Sequence, residues 1–182
     1  MEKIPSLFVE KHQINPLCEW VTEGKGKATV MHDGFCYAVI HQMPYRHCVT
    51  PSPREGFIPC CFYNRQWWGW EPVPKDDPIF WPVWEQKYDG HHWDWSYELV
   101  NGVLIPHGRE IILSLTAPSL IPIAAYLSTR PEVEGVVWWE DINDLNCRKA
   151  KVQRPDLSLG VHHVPSRRVR VPQSTSDSAS GT

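Results

Sequence analysis

No C-x-x-C pair occurs among the six cysteines, Cys18, Cys36, Cys48, Cys60, Cys61 and Cys147. Its absence removes the commonest zinc-ribbon and dithiol signatures. Several of these thiols sit inside apolar runs, so buried free cysteines are expected, with a disulfide framework or a zinc site as minor alternatives. Charge is also scarce: 21% of residues are Asp, Glu, Lys or Arg and the net charge is −3. No global basic field advertises nucleic acid, and any such site has to be a local patch. No apolar run approaches the roughly 20 residues of a membrane span. The start, Met1-Glu2-Lys3-Ile4-Pro5, lacks a signal peptide's apolar core, so a soluble, cytoplasmic protein is expected. No internal repeat is visible.

What is abundant is tryptophan, ten residues, and proline, seventeen, in a chain of 182 residues that is 42% hydrophobic. That length suits one domain with a real core. Proline breaks helices and aromatic side chains favour strands, so many short strands, few helices and long ordered loops follow. Lys27 to His32 reads as a strand, Asp33-Gly34 as a turn, and Cys36 to Ile40 as the next strand, either a β-hairpin or a strand–turn–strand pair. Asn101-Gly102 between Ser96–Val100 and Val103–Gly108 is the strongest hairpin signal in the chain. Ser119 to Ser128 is the best helix candidate, stopped by Arg130-Pro131. Val133–Trp139 reads as a buried strand, and Arg148–Val152 as a strand with Lys149 and Lys151 on one face. The Trp67–Trp84 stretch could stack on bases, but most of its rings suit a core with few helices. The end, with Arg167, Arg168 and Arg170 and then Ser174 to Thr182, has the composition of a disordered tail.

Several short segments, in order, resemble the ATP-dependent 5′-to-3′ RNA ligases, a family of the covalent nucleotidyltransferases with vertebrate, bacterial and phage members. Ile4–Val9 resembles the family's opening. Ala28 to Cys36 is similar to its nucleophile motif, and Gly56–Pro59 and Gly69–Val73 to its Pro/Trp segments. Tyr97-Glu98-Leu99-Val100 matches motif III, Leu104–Gly108 a family-typical strand end, Glu134–Trp138 motif IV and Ala150-Lys151-Val152 motif V. The likeness spans about residues 4–160.

The resemblance implies an α+β nucleotidyltransferase domain of the ligase adenylylation type, with antiparallel sheets and few helices, over residues 1–163, followed by the tail at 164–182. It implies ATP and Mg2+ (or Mn2+) as cofactors, and RNA ends bearing 5′-phosphate and 3′-hydroxyl as partners, with no membrane role. In that chemistry a lysine attacks the ATP α-phosphate, the adenylyl group passes to an RNA 5′-phosphate, and a 3′-hydroxyl displaces AMP. Carried onto this chain, Lys151 and Lys149 would serve the phosphates, Glu134 would hold metal or its waters, and Glu98 would bind the nucleoside or orient the lysine. Asp33 would contact the substrate sugar or order the turn, Gly34 would lie at the cofactor, and Arg46 resembles a basic contact after the nucleophile strand. Taken singly, Glu98 and Glu134 read equally as surface carboxylates, and the two lysines as a solvated strand face.

Two departures fall at this site. Met31 stands where the nucleophilic lysine belongs; it matches lysine in length and has no amine. The Asn101-Gly102 turn replaces a longer insertion found in relatives. Together they imply a diverged relative that has lost self-adenylylation, a pseudoenzyme. Lys27 is more than about 10 Å away at ~3.3 Å per residue. Lys87 opens a literal K-x-D-G, but the flanking motifs pair with Met31 instead. The alternative is a non-catalytic nucleic-acid- or protein-binding module using the Trp67–Trp84 stretch and the Arg167–Arg170 tail. A zinc site drawing on His91, His92 and the cysteines lacks ligand spacing.

Overall fold

The computed structural model describes residues 4–87, 94–115 and 118–157. Among the described residues, nine strands, three short α-helices and three 3-10 turns make a mixed α+β architecture in which every ladder between strands is antiparallel. Strands β1 (Lys27–His32), β8 (Val133–Trp139) and β9 (Lys149–Gln153) form one sheet in the order β1-β8-β9. The other sheet runs β4-β5-β3-β2-β6-β7, from β2 (Phe35–Ile40), β3 (Met43–Thr50), β4 (Ile58–Tyr63), β5 (Gln66–Pro72), β6 (Ser96–Val100) and β7 (Val103–Pro106). Both edges of the smaller sheet are covered. Leu7 N–H donates to the Lys151 carbonyl at 2.7 Å and Lys151 N–H to the Pro5 carbonyl at 3.0 Å, and the 110–112 segment bonds to β1 from the other side. Covered edges leave no open row of donors for stray pairing.

The hairpin alternative for Asp33-Gly34 is corrected here. β1 pairs with β8 and not with β2, whereas β2 pairs with β3 and β6, so the turn carries the chain from one sheet into the other. A tight two-residue hairpin of type I′ needs positive φ at both central residues, and neither Asp33 nor Gly34 has it. Glycine is required at 34 for a different reason. A Cβ there would stand 2.5 Å from the Leu99 carbonyl oxygen, so the turn lies directly against β6. Asn101-Gly102 does form the expected hairpin, with φ of 49° and 76°.

Two further positive-φ hairpins use residues with no glycine, His41-Gln42 (51°, 64°) and Asn64-Arg65 (50°, 58°). The first is held from outside the hairpin. The Asp94 carboxylate accepts the His41 and Gln42 backbone N–H groups at 2.9 and 3.0 Å.

Helix α1 (Glu19–Thr22) and helix α3 (Leu120–Ser128) lie against the smaller sheet. Between them is a core of Trp20, Val21, Ile123, Leu127, Val136, Trp138 and Val152. α3 matches the sequence expectation, and Pro131 follows it. A second cluster joins Val137 and Trp139 of the smaller sheet to Tyr37, Tyr97, Leu99 and Leu104 of the larger sheet and to Phe80 of helix α2 (Phe80–Lys87). Trp70 is buried, Trp81 and Trp84 pack on Phe80, and the Trp81 indole donates to the Pro74 carbonyl. Of the tryptophans in this stretch Trp70 alone is buried, and Trp67, Trp68, Trp81 and Trp84 are half-buried. All six cysteines are free, and of these Cys18 is fully buried. No helix among the described residues is long and apolar enough to cross a membrane. The 164–182 tail, His91 and His92, and the Tyr88-Asp89-Gly90 part of K-x-D-G lie outside the described residues.

Candidate functional site

The expected carboxylates and lysine come from both sheets. Lys151 of β9 is the register partner of Val137 in β8, and Gln153 is the partner of Gly135. Alternation along β8 would place Glu134 on the opposite face from Val137. The strand departs from alternation at that point. Met31 is opposite Gly135, but His32 is opposite Val133, so Glu134 is an extra residue in the ladder. Val133 then packs with Val136 in the helix-side core, leaving Glu134 to turn toward Gln153, whose side-chain amide donates to it at 2.6 Å. A bulge of this kind re-aims a side chain.

Glu134 lies within electrostatic reach of Asp33, Glu98 and Lys151. Burial holds its carboxyl above the ordinary carboxylate range; the Gln153 hydrogen bond and Lys151 oppose that, while Asp33 and Glu98 add to it. His47 of β3 also feels both Glu98 and Lys151. Asp33, Glu98 and Lys151, from the β1–β2 turn, β6 and β9, thus all act on Glu134. Met31 is half-buried against the second core cluster on the same stretch of β1, opposite the bulge. Gly34 forms the adjoining turn.

Glu98 is itself well fixed. Its side chain is 12% exposed, and its Oε2 lies 2.9 Å from His107 Nε2. His107 Nδ1 in turn lies 2.9 Å from Ser96 Oγ. Across the β2–β6 ladder, Glu98 is opposite Cys36. Burial, with the Glu98 charge beside it, pushes the Cys36 thiol well above its ordinary pKa.

Arg46 and Lys149 are placed differently. Arg46 is the partner of Tyr37 in the β2–β3 ladder. Neighbouring residues of a strand face opposite ways, so Arg46 lies on the other face of the sheet from Cys36 and Glu98. There its guanidinium bonds Glu71 at 2.7 Å and Asp77 at 3.2 Å, beside a cavity of about 240 Å3 lined in part by Phe35, Tyr37 and Cys48. Lys149 shares a strand face with Lys151 as expected. Its ammonium, however, donates to the Leu145 and Cys147 carbonyls and sits 4.4 Å above the Trp139 ring. Burial lowers its pKa.

No family model and no curated protein matches the chain. The site therefore stands on its geometry.

Sequence reasoning gave no role to Cys36, Ser96, His107 or Gln153. Cys36 meets Glu98 only through the β2–β6 pairing, whereas Ser96 precedes Glu98 by two residues on the same strand, an even spacing that already signals a shared face. Gln153 follows Lys151 at an even spacing, which was a usable signal for a shared face.

Proposed function

We propose that this chain is a nucleotidyltransferase-type domain related to the ATP-dependent RNA ligases, holding a nucleotide where its two sheets meet and unable to form the lysyl-adenylate because Met31 occupies the lysine position. The observation that carries this reading is that Asp33, Glu98 and Lys151, from separate elements of both sheets, all act electrostatically on Glu134, with Met31 registered opposite the adjacent Gly135. Each was singled out by its place in an ordered set of motifs, and nothing in local sequence requires them to meet.

The charge around Glu134 suits a divalent cation held through water. Asp33 and Glu98 add negative charge beside Glu134 and Lys151 offsets it, an excess that Mg2+ or Mn2+ would reduce, while the three carboxylates do not gather into one ligand cluster. Glu134 is the residue to hold it, directly or through water. When bound, the ion would offset charge on the transferring phosphate. Lys151 would pair with a phosphate oxygen as a point charge. Glu98, oriented by His107, would accept a hydrogen bond from the ribose. Met31 fills the nucleophile's volume with a thioether that forms no phosphoramidate. The RNA partner would present a 5′-phosphate and a 3′-hydroxyl, and the chain would bind such ends without sealing them.

The test is incubation with α-labelled ATP and magnesium. The expected result is no stable label on the native chain and label on the Met31→Lys variant. Thermal stabilisation of the native chain by ATP measures binding independently, since a ligand at 100 times its Kd adds about 2.7 kcal/mol. Label on the native protein would overturn the inactive reading. Absence of both label on Met31→Lys and stabilisation by ATP would overturn the nucleotidyltransferase reading.

A further inference from the structure

Cys36 Sγ, a Glu98 carboxylate oxygen and a His107 ring nitrogen all lie within 4.8 Å of one another. These are three different donors, a thiol, a carboxylate and an imidazole, on backbone that the larger sheet fixes. Cys36 and Glu98 face each other across the β2–β6 ladder. His107 follows β7 directly and extends its pairing, donating its backbone N–H to the Ser96 carbonyl at 3.0 Å. The His107 carbonyl accepts from the Trp95 indole at 2.8 Å. The ring is held as well: without an ion Nε2–H donates to the Glu98 carboxylate at 2.9 Å and Nδ1 accepts from the Ser96 hydroxyl at 2.9 Å, and with an ion on Nε2 the ring proton sits on Nδ1 and donates to Ser96 Oγ. Metal-binding histidines are oriented in this way, by a hydrogen bond on the nitrogen that does not ligate.

We infer that Cys36, Glu98 and His107 form a binding site for a zinc-type divalent ion. A tetrahedral zinc with Zn–N and Zn–O bonds of about 2.0 Å and a Zn–S bond of about 2.3 Å places its ligand atoms roughly 3.3–3.6 Å apart. The observed 2.9 Å between Glu98 Oε2 and His107 Nε2 opens to that spacing through a small side-chain rotation, with no movement of the strands. Mixed sulfur, nitrogen and oxygen donors select zinc-like ions over magnesium. This distinguishes the site from the all-oxygen set around Glu134. On binding, the Cys36 thiol loses its proton to solvent and ligates as thiolate. Three protein ligands leave a fourth position for water, the ligand count of reactive zinc centres, whereas closed structural sites have four. The ion would also lock Glu98 in place. The inference goes beyond the nucleotide reading and does not depend on it.

Cobalt(II) titrated into the reduced full chain tests it. The expected result is one equivalent bound, with intense tetrahedral d–d bands and a thiolate-to-cobalt charge-transfer band, displaced by Zn2+ and unaffected by excess Mg2+. The charge-transfer band disappears in Cys36→Ser and persists in Cys48→Ser and Cys60→Ser. Ser96→Ala weakens Zn2+ binding about 10-fold or more, as loss of an orienting partner does at other sites. No charge-transfer band in the native chain, or a band that survives Cys36→Ser, overturns the inference. If Cys36→Ser does not fold, His107→Gln decides, because its amide can keep the bond to Ser96; native-strength Zn2+ binding by that variant overturns the inference. The readout is independent of ATP labelling, so a failure here leaves the nucleotide reading standing.

Discussion

Met31 lies opposite Gly135 in the β1–β8 ladder, and the next residue of β1 already lies opposite Val133. The residue at the lysine position is therefore registered against the bulge that turns Glu134 toward Lys151. Gly135 makes the bulge possible, since a Cβ there would come within 2.2 Å of the Val152 carbonyl oxygen. Gly135→Ala should destabilise the fold by about 3 kcal/mol, as overpacking against fixed backbone does. Urea denaturation measures it, and a loss under about 0.5 kcal/mol would show that β9 can shift away.

Arg46 is bound to two carboxylates whose side chains are 11% and 6% exposed, Glu71 and Asp77. Asp77 also accepts the backbone N–H groups of Ile79 and Phe80 at 3.0 and 2.9 Å, at the start of α2. Removing the cation leaves both carboxylates uncompensated. Arg46→Ala should cost about 3 kcal/mol, and adding Asp77→Asn, which keeps the acceptor oxygen, should recover part of it. Chemical denaturation of the single and double variants provides the check.

The β2–β3 turn depends on a residue far away in sequence. Asp94 is 51% exposed, so its two bonds to the His41 and Gln42 N–H groups are worth less than buried ones. Asp94→Ala should lower stability by about 1 kcal/mol. Gln42→Gly in that background should restore some of it by relieving the positive φ. Equal effects of Gln42→Gly with and without Asp94 would show that the carboxylate does not hold the turn.

Cys48 supplies a pH dependence. Burial, with Glu71 nearby, raises its thiol from an ordinary value of 9.0 to about 11. Above pH 9 the unfolded chain's thiol ionises while the folded one stays protonated, so the unfolded state binds fewer protons and stability falls as pH rises from about 9 to about 11. Below that window the group contributes no slope. Cys48→Ala should therefore lose less stability between pH 8 and pH 10.5 than the native chain under reducing conditions. Identical slopes would remove Cys48 as a source.

Local patterning carried much of the fold. Alternation and turn chemistry located β1, β2, β6–β7 and β8, Pro131 bounded α3, and the scarcity of helices followed from proline and tryptophan. The period of two also placed Lys149 and Lys151 on one face. The ordered short motifs picked out Met31, Glu98, Glu134 and Lys151, because each sits on a strand whose boundaries are written in its own residues.

Pairing partners were beyond that reading. Asp33-Gly34 has the sequence of a hairpin, but backbone hydrogen bonds to β8 on one side and β6 on the other outcompeted local closure and made it the link between sheets. Arg46 resembles a basic contact after the nucleophile strand, and strand parity turned it to Glu71 and Asp77, which approach only after β3 pairs with β5. Lys149 was drawn to carbonyls and to Trp139. His107 and Cys36 became neighbours of Glu98 through two different ladders. Sequence alone determined which residues alternate, turn and bury, since those preferences act within a few residues along the chain. Tertiary structure decided which of them meet, because that choice rests on long-range strand pairing and on the one extra residue in β8 that sets the direction of Glu134.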